Sequence, residues 1–308
     1  MGKIATRKSF GQALAELGEI YPDIVCFDAD LSKSTMSSLF ANQFPDRFFE
    51  MGIQEANMIG AAAGISFTGK IPFICSFGAF LTGRFDQIRM SVGYSQANVK
   101  LVGTHCGVGI GEDGHSQMGL EDVALMRTIP KMTVLQPSGD RECRQMVEWA
   151  VKHQGPVYLR LTRQGLKEFD LPPFQLAIFP QLREGEKIAF LANGGLLESA
   201  YEAANRLSEM GIVNPAVYNL HTTKPLDGTF LTELAEKYKE FVVFEDHSTI
   251  GGSGAAIAEW MAEYAPIPRR VYRYGVKDQF GESGRPEDLY QKHGFTPEGI
   301  VTFFNKNS

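Results

Sequence analysis

The 308 residues contain no uninterrupted apolar run near the roughly 18 needed to span a bilayer. No apolar segment follows the basic residues of positions 1–10, as it would in a leader peptide. A cytoplasmic protein without membrane contact is the expectation. Cysteine is scarce: Cys26, Cys75, Cys106 and Cys143 lie far apart and form neither a Cys-x-x-Cys pair nor a secreted disulfide framework. They read as reduced thiols. Cys106, beside His105, has the neighbour of an activated nucleophile, although a small buried thiol at a strand end explains it more simply. Positive charge is also in deficit, with 30 Lys and Arg against 36 Asp and Glu and a formal charge of −6. No global field gathers nucleic acid or an anionic membrane, so any phosphate must be held by a local site. Walker-type, Gly-x-Gly-x-x-Gly and His-Glu-x-x-His motifs are all missing, which leaves the common nucleotide and zinc sites unsupported.

Against these absences stands an ordinary globular composition, 44% hydrophobic, 21% charged and 11% aromatic. At about 150 residues per domain, the length suits two domains. Short apolar or β-branched runs alternate with longer periodic stretches, the pattern of βα repetition and a mostly parallel sheet. The fold class is therefore α/β, with two consecutive domains. Strands are expected at 24–28, 71–77, 99–105, 132–136 and 157–161, separated by helices at 6–17, 57–68, 84–95, 120–127 and 140–153. After a Pro-containing stretch at 171–185, a second series has strands at 187–191, 213–218, 241–244 and 271–274, with helices at 196–210, 230–238 and 254–264. The domains then run over 1–170 and 187–308, joined by a linker at 171–186. The run Gly-Gly-Ser-Gly at 251–254 opens a helix after a strand, so it suits either an anion on free amides or close helix packing.

Three segments fall at the carboxyl ends of first-domain strands, where open α/β sheets place ligands. The first, MGIQEANMIGAAAG at 51–64, carries Glu55 at a helix start. A first-turn acid is favoured by the helix dipole alone. The surroundings are nearly uncharged, however, so this acid needs a partner. The second, CSFGAFLTGRFDQIR at 75–89, sets Phe77, Phe80 and Phe85 after a strand, as core or as a platform for a flat heterocycle. The third, THCGVGIGEDGHSQMGLEDVALMR at 104–127, concentrates His105, Glu112, Asp113, His115, Ser116 and Gln117 in a Gly-rich loop. Packing alone does not explain so many polar groups. Metal ligation by His105, Asp113 and His115 is conceivable, but the loop lacks a rigid ligand spacing.

These segments, with KIATRKSFGQALAELG, FDADLSKSTMS, PDRFFEMGIQEANM and FEDHSTIGGSGAAIAE, resemble the pyrimidine-binding and carboxyl-terminal domains of the transketolase family over essentially the whole chain. The resemblance implies thiamine diphosphate as cofactor and transfer of a two-carbon ketol unit from a ketose phosphate, or a related anionic ketose, to an aldose. By the same resemblance, Glu55 matches the catalytic glutamate that bonds a ring nitrogen of the aminopyrimidine. Phe80, with Phe77 behind it, matches the aromatic wall, and Gln117 a polar contact on the cofactor side. His105 and Asp113 match residues that bind sugar hydroxyls. Arg7, Ser34 and Arg163 match the phosphate end of the substrate pocket, where a guanidinium holds an anion by two hydrogen bonds.

Two departures from the family matter. The Gly-Asp-Gly motif followed by Asn, which in the family binds the diphosphate and its metal, is missing. The resemblance thus implies a split enzyme, in which an N-terminal subunit supplies most ligands to Mg2+ or Ca2+ and the active sites form at interfaces of an alpha2beta2 heterotetramer. His115 stands where Pro or a small residue is usual, and is expected either near the reactive end of the substrate or exposed. Apulose 4-phosphate and 6-deoxy-6-sulfofructose remain open as donors. The beta subunit of a 2-oxo-acid dehydrogenase and a non-catalytic assembly partner are the rival readings.

Overall fold

The computed structural model describes residues 2–307. Met1 and Ser308, the outer ends of the two expected domains, lie outside the described residues. A seven-stranded sheet has the spatial order Thr222–Lys224, Thr133–Leu135, Val157–Arg160, Lys100–Thr104, Ile71–Phe77, Ile24–Asp28, Phe48–Glu50. All its pairings are parallel except the first. Alternation along each strand feeds two cores: Val25, Phe27, Ile74 and Leu101 pack on one face, and Ile24, Cys26, Phe73 and Val102 on the other. Strands buried on both faces read as continuous apolar runs, which is why IVCFD and IPFICSF were legible as strands with their exact ends.

A five-stranded sheet follows, ordered Arg270–Val276, Glu240–Ser248, Ile188–Ala192, Ala216–Asn219, Gln181–Arg183, with only the last pairing antiparallel. It too separates two cores, one holding Phe190, Val217, Val242 and Phe244, the other Leu191, Tyr218, Phe241 and Val243. Both sheets are thus mixed, each with an antiparallel edge strand. The edge strand Thr222–Lys224 comes from the second half of the chain but pairs with Thr133–Leu135 in the first sheet. Strand exchange therefore ties the two halves together.

Several local expectations change. The helix expected at 84–95 is a short turn of α-helix, Phe85–Gln87, followed by a π-helical stretch, Ile88–Tyr94. The Gly-rich loop contains two 3-10 turns, Val108–Asp113 and His115–Gln117. The amides that open the helix Ser253–Glu263 are not free for an outside anion. The chain's own Glu245 carboxylate accepts from Ser253 N at 2.7 Å and Gly254 N at 3.0 Å. All four cysteines are buried and free, and burial pushes the Cys106 thiol pKa well up, which removes it as a nucleophile. No helix among the described residues is long and apolar enough to cross a membrane.

Candidate active site

The connection from Ile24–Asp28 to Phe48–Glu50 leaves one side of the first strand, while the next crossover carries the chain to Ile71–Phe77 on the other side. The crevice between the carboxyl ends of Ile24–Asp28 and Ile71–Phe77 is therefore the switch point of the sheet, where ligands bind in this class. A cleft of about 430 Å³ opens there, lined by residues that include Ala29, Leu31, Glu55, Ala79 and Phe80.

Glu55 is the first residue of the helix Glu55–Ser66 and is only 5% exposed. Its Oε1 accepts one long hydrogen bond, from Ser76 Oγ at 3.3 Å. Among the described residues, Oε2 has no hydrogen-bond partner and the carboxyl has no ion pair. A buried acid without a cation is costly unless something else satisfies it. Phe80 faces the same cleft from the helix Gly78–Thr82 and stacks on Phe77, with ring centroids 5.3 Å apart and planes 13° apart. One flat apolar wall and one underused acid thus border a single cleft. The turn His115–Gln117 packs against that same helix, and the Gln117 side chain makes no hydrogen bond among the described residues.

Phe77 also stacks on His105, centroids 3.9 Å apart, which joins this cleft to a second group of residues. His105 has φ +57°, a left-handed conformation uncommon for a non-glycine residue. Its Nε2 lies 3.2 Å from the Arg7 guanidinium and its Nδ1 2.9 Å from Thr104 Oγ1. Arg7 can only donate, so Nε2 accepts and Nδ1 carries the proton. Burial first, then the charges of Arg7 and Arg163, push the imidazole pKa down to about 3, so the ring is neutral. Arg7 also donates to the Ser34 carbonyl at 2.6 Å, so Ser34 joins the group through its backbone.

Arg163 donates to the Ile110 carbonyl and lies 3.4 Å from Glu112 and 3.9 Å from Asp113. The structure therefore gathers Arg7, Ser34, His105, Asp113 and Arg163 beside the cleft lined by Glu55 and Phe80, with Phe77 packed behind Phe80. His115 is instead half-buried against the second sheet's side of the molecule. Its Nδ1 accepts from Gly281 N at 3.0 Å and its ring meets Phe280 at 4.6 Å. His105, Asp113 and His115 do not converge: among the described residues, no three His, Cys, Asp or Glu side chains come together to hold a metal ion.

Asp28 was not singled out from the sequence. It accepts from Leu31 N at 2.6 Å, Thr35 Oγ1 at 2.7 Å and Ser37 Oγ at 2.8 Å, and so shapes the loop that presents Ser34 and lines the cleft. Burial raises its pKa to about 6. An Asp at a strand end followed by Ser and Thr is the available sequence signal.

Comparison with known proteins agrees along the whole chain. The family model for the transketolase pyrimidine binding domain matches residues 2–168, and that for the transketolase C-terminal domain matches residues 179–300. A putative transketolase C-terminal section from Methanocaldococcus jannaschii is 40% identical over 301 residues, covering 96% of this chain and 93% of its own length. A 6-deoxy-6-sulfo-D-fructose transketolase subunit from Clostridium sp. strain MSTE9 is 40% identical over 298 residues, covering 96% of this chain and 92% of the relative. A solved split gene transketolase, described as an inactive beta4 tetramer, superposes with a TM-score of 0.87 at 41% identity, covering 99% of this chain and 98% of that one. The animal transketolases it matches are about twice as long, the chain covering 48% of the human enzyme. The chain belongs to the transketolase family and carries its pyrimidine-binding and C-terminal domains.

Proposed function

We propose that this chain is the C-terminal subunit of a split transketolase, transferring a two-carbon ketol unit from an anionic ketose to an aldose with thiamine diphosphate. The observation that carries the reading is Glu55: a nearly buried acid with a free Oε2 on a cleft walled by Phe80. A flat heterocycle bearing a ring nitrogen satisfies both features. Glu55, Phe77, Phe80 and Gln117 would hold the aminopyrimidine side of the cofactor. Its diphosphate and a divalent ion, Mg2+ or Ca2+, fall to an N-terminal partner subunit, since this sequence lacks the motif for them. When bound, thiamine diphosphate supplies the nucleophilic carbon that takes up the two-carbon unit.

The chain's own contribution is protonic and electrostatic. Glu55, whose Oε2 has no hydrogen-bond partner among the described residues, would hold a proton toward a ring nitrogen of the cofactor and so orient the ring. Neutral His105 offers Nε2 to a substrate hydroxyl, a contact that competes with Arg7 and releases its guanidinium toward the anionic end of the sugar. Arg163 supplies the second guanidinium, and Asp113 accepts from hydroxyl groups. The relatives known as split or separate subunits support assembly with an N-terminal chain, read here as an alpha2beta2 heterotetramer. The Clostridium relative also keeps sulfofructose beside sugar phosphates as a donor. The test is co-expression with the N-terminal partner and assay of xylulose 5-phosphate, fructose 6-phosphate, apulose 4-phosphate and sulfofructose as donors to an aldose phosphate. Ketol transfer from at least one is expected, and the best donor names the substrate. No transfer from any of the four by the assembled complex would overturn the reading.

A further inference from the structure

The Gly-rich loop at 105–117 carries His105, Asp113 and His115, yet much of what fixes it comes from the second half of the chain. Val108, Ile110, Met118 and Leu120 are buried in one apolar cluster with Phe190 and Phe244 of the five-stranded sheet. At the centre of this junction the buried Asp246 carboxylate accepts from Val108 N at 2.8 Å through Oδ1 and from Tyr290 Oη at 2.9 Å through Oδ2. Tyr290 Oη in turn accepts from Gln164 Nε2 at 2.7 Å, and Gln164 adjoins Arg163. Gly107 has φ +85°, and a Cβ there would lie 2.3 Å from Asp246 Oδ2, so loop and carboxylate fit only because this residue is glycine. Toward the far end of the loop, Gly281 N donates to His115 Nδ1 at 3.0 Å.

We propose that Asp246, braced by Tyr290, is a positioning residue that holds the 105–117 loop and the Arg163 segment in the geometry needed to bind the donor sugar. Asp246 does not face the Glu55 cleft. It acts through the Val108 amide on one segment and through Tyr290 and Gln164 on the other. A carboxylate serves here because it accepts two hydrogen bonds at once from elements far apart in sequence. Displacing the loop moves His105 and Asp113 together relative to Arg163, and a misplacement of about 1 Å costs on the order of 100-fold in rate. Of the groups on the cofactor side only Gln117 lies on this loop, while Glu55, Phe77 and Phe80 lie on other elements, so cofactor affinity should move far less than donor KM.

This inference rests on the proposed ketol transfer, and its test separates the two. Tyr290→Phe, Asp246→Ala and Asp246→Asn would be prepared in the complex with the N-terminal partner and followed by amide hydrogen exchange and by steady-state kinetics. In Tyr290→Phe, exchange over 105–117 should quicken while the helix Glu55–Ser66 stays unchanged. The KM for the best donor should rise about 10-fold with thiamine diphosphate affinity changed less than about 2-fold. Asp246→Ala should be worse, and Asp246→Asn, which keeps an acceptor for Val108 N, should recover part of the loss. A purely structural role would lower the melting temperature and the active fraction but leave donor KM at its wild-type value, and that result would overturn the proposal. Unchanged loop exchange in both Tyr290→Phe and Asp246→Ala would overturn it whether or not a donor had been found. A wild-type complex inactive with every donor would instead count against the proposed reaction.

Discussion

His105 combines a left-handed backbone, an aromatic stack and two guanidinium neighbours, and its ring resists protonation. That resistance has a sign. The unfolded ring takes up a proton near pH 6.5, whereas the folded one holds off to about 3. Stability contributed by the neutral ring is therefore complete above pH 6.5 and lost as pH falls toward 3, by up to about 1.4 kcal/mol per pH unit. Asp28 works oppositely, since its raised pKa of about 6 makes the fold tighter as pH falls through that value. Comparing variants isolates the histidine: His105→Asn should lose less melting temperature between pH 7 and pH 5 than the wild type. Equal losses would contradict a neutral, protected imidazole. At this scale, the sequence displayed Glu55 because its neighbours are almost uncharged, so an acid without a partner stood out. Asp246 stayed hidden because its partners, Val108 and Tyr290, come from segments more than 40 residues away in either direction, as their separations of 138 and 44 residues record.

Among the elements, central strands and long helices were legible and short edges were not. In KLVGT, Leu101 and Val102 with the preceding Val99 marked a strand that is buried throughout. Phe48–Glu50, Gln181–Arg183 and Thr222–Lys224 have three residues each and owe their strand geometry to distant partners. Local pattern carries no trace of such pairing. The helices Pro286–Lys292 and Pro297–Asn307 were not read from the sequence, although each opens on a usable signal, Pro followed by Glu at the first turn. Between elements, one buried ion pair dominates the junction. Arg160 donates to Asp122 at 2.8 Å and to the carbonyls of Gly119 and Asp246 at 2.9 Å, and Tyr158 also donates to Asp122 at 2.8 Å. Removing the acid leaves a guanidinium without its counter-ion in a water-excluded site. Asp122→Ala should therefore cost about 3–5 kcal/mol of unfolding free energy in a denaturant titration. A loss under about 1 kcal/mol, the range of an exposed pair, would show that the junction does not depend on this pairing.

The molecule as a whole is built on two large sheets, the first of which takes an edge strand from the second half of the chain, with a cleft at the switch point of the first and a loop held by the second half. Its α/β class and two-sheet plan followed from the alternation of runs alone. The strand exchange did not, because a three-residue edge belongs to whichever sheet has room for it. The same organisation explains why the proposed chemistry needs a second chain: one side of a cofactor site is furnished here, and the family's metal motif is not. The Glu55 carboxyl is proposed to activate the cofactor bound in this cleft. Ketol transfer from the best donor by the reconstituted complex carrying Glu55→Gln decides whether it does. The variant should assemble normally and bind cofactor, with kcat lowered at least 100-fold, in the range expected for loss of a proton-transfer group. Wild-type turnover from that correctly assembled variant would show that Glu55 does not activate the cofactor.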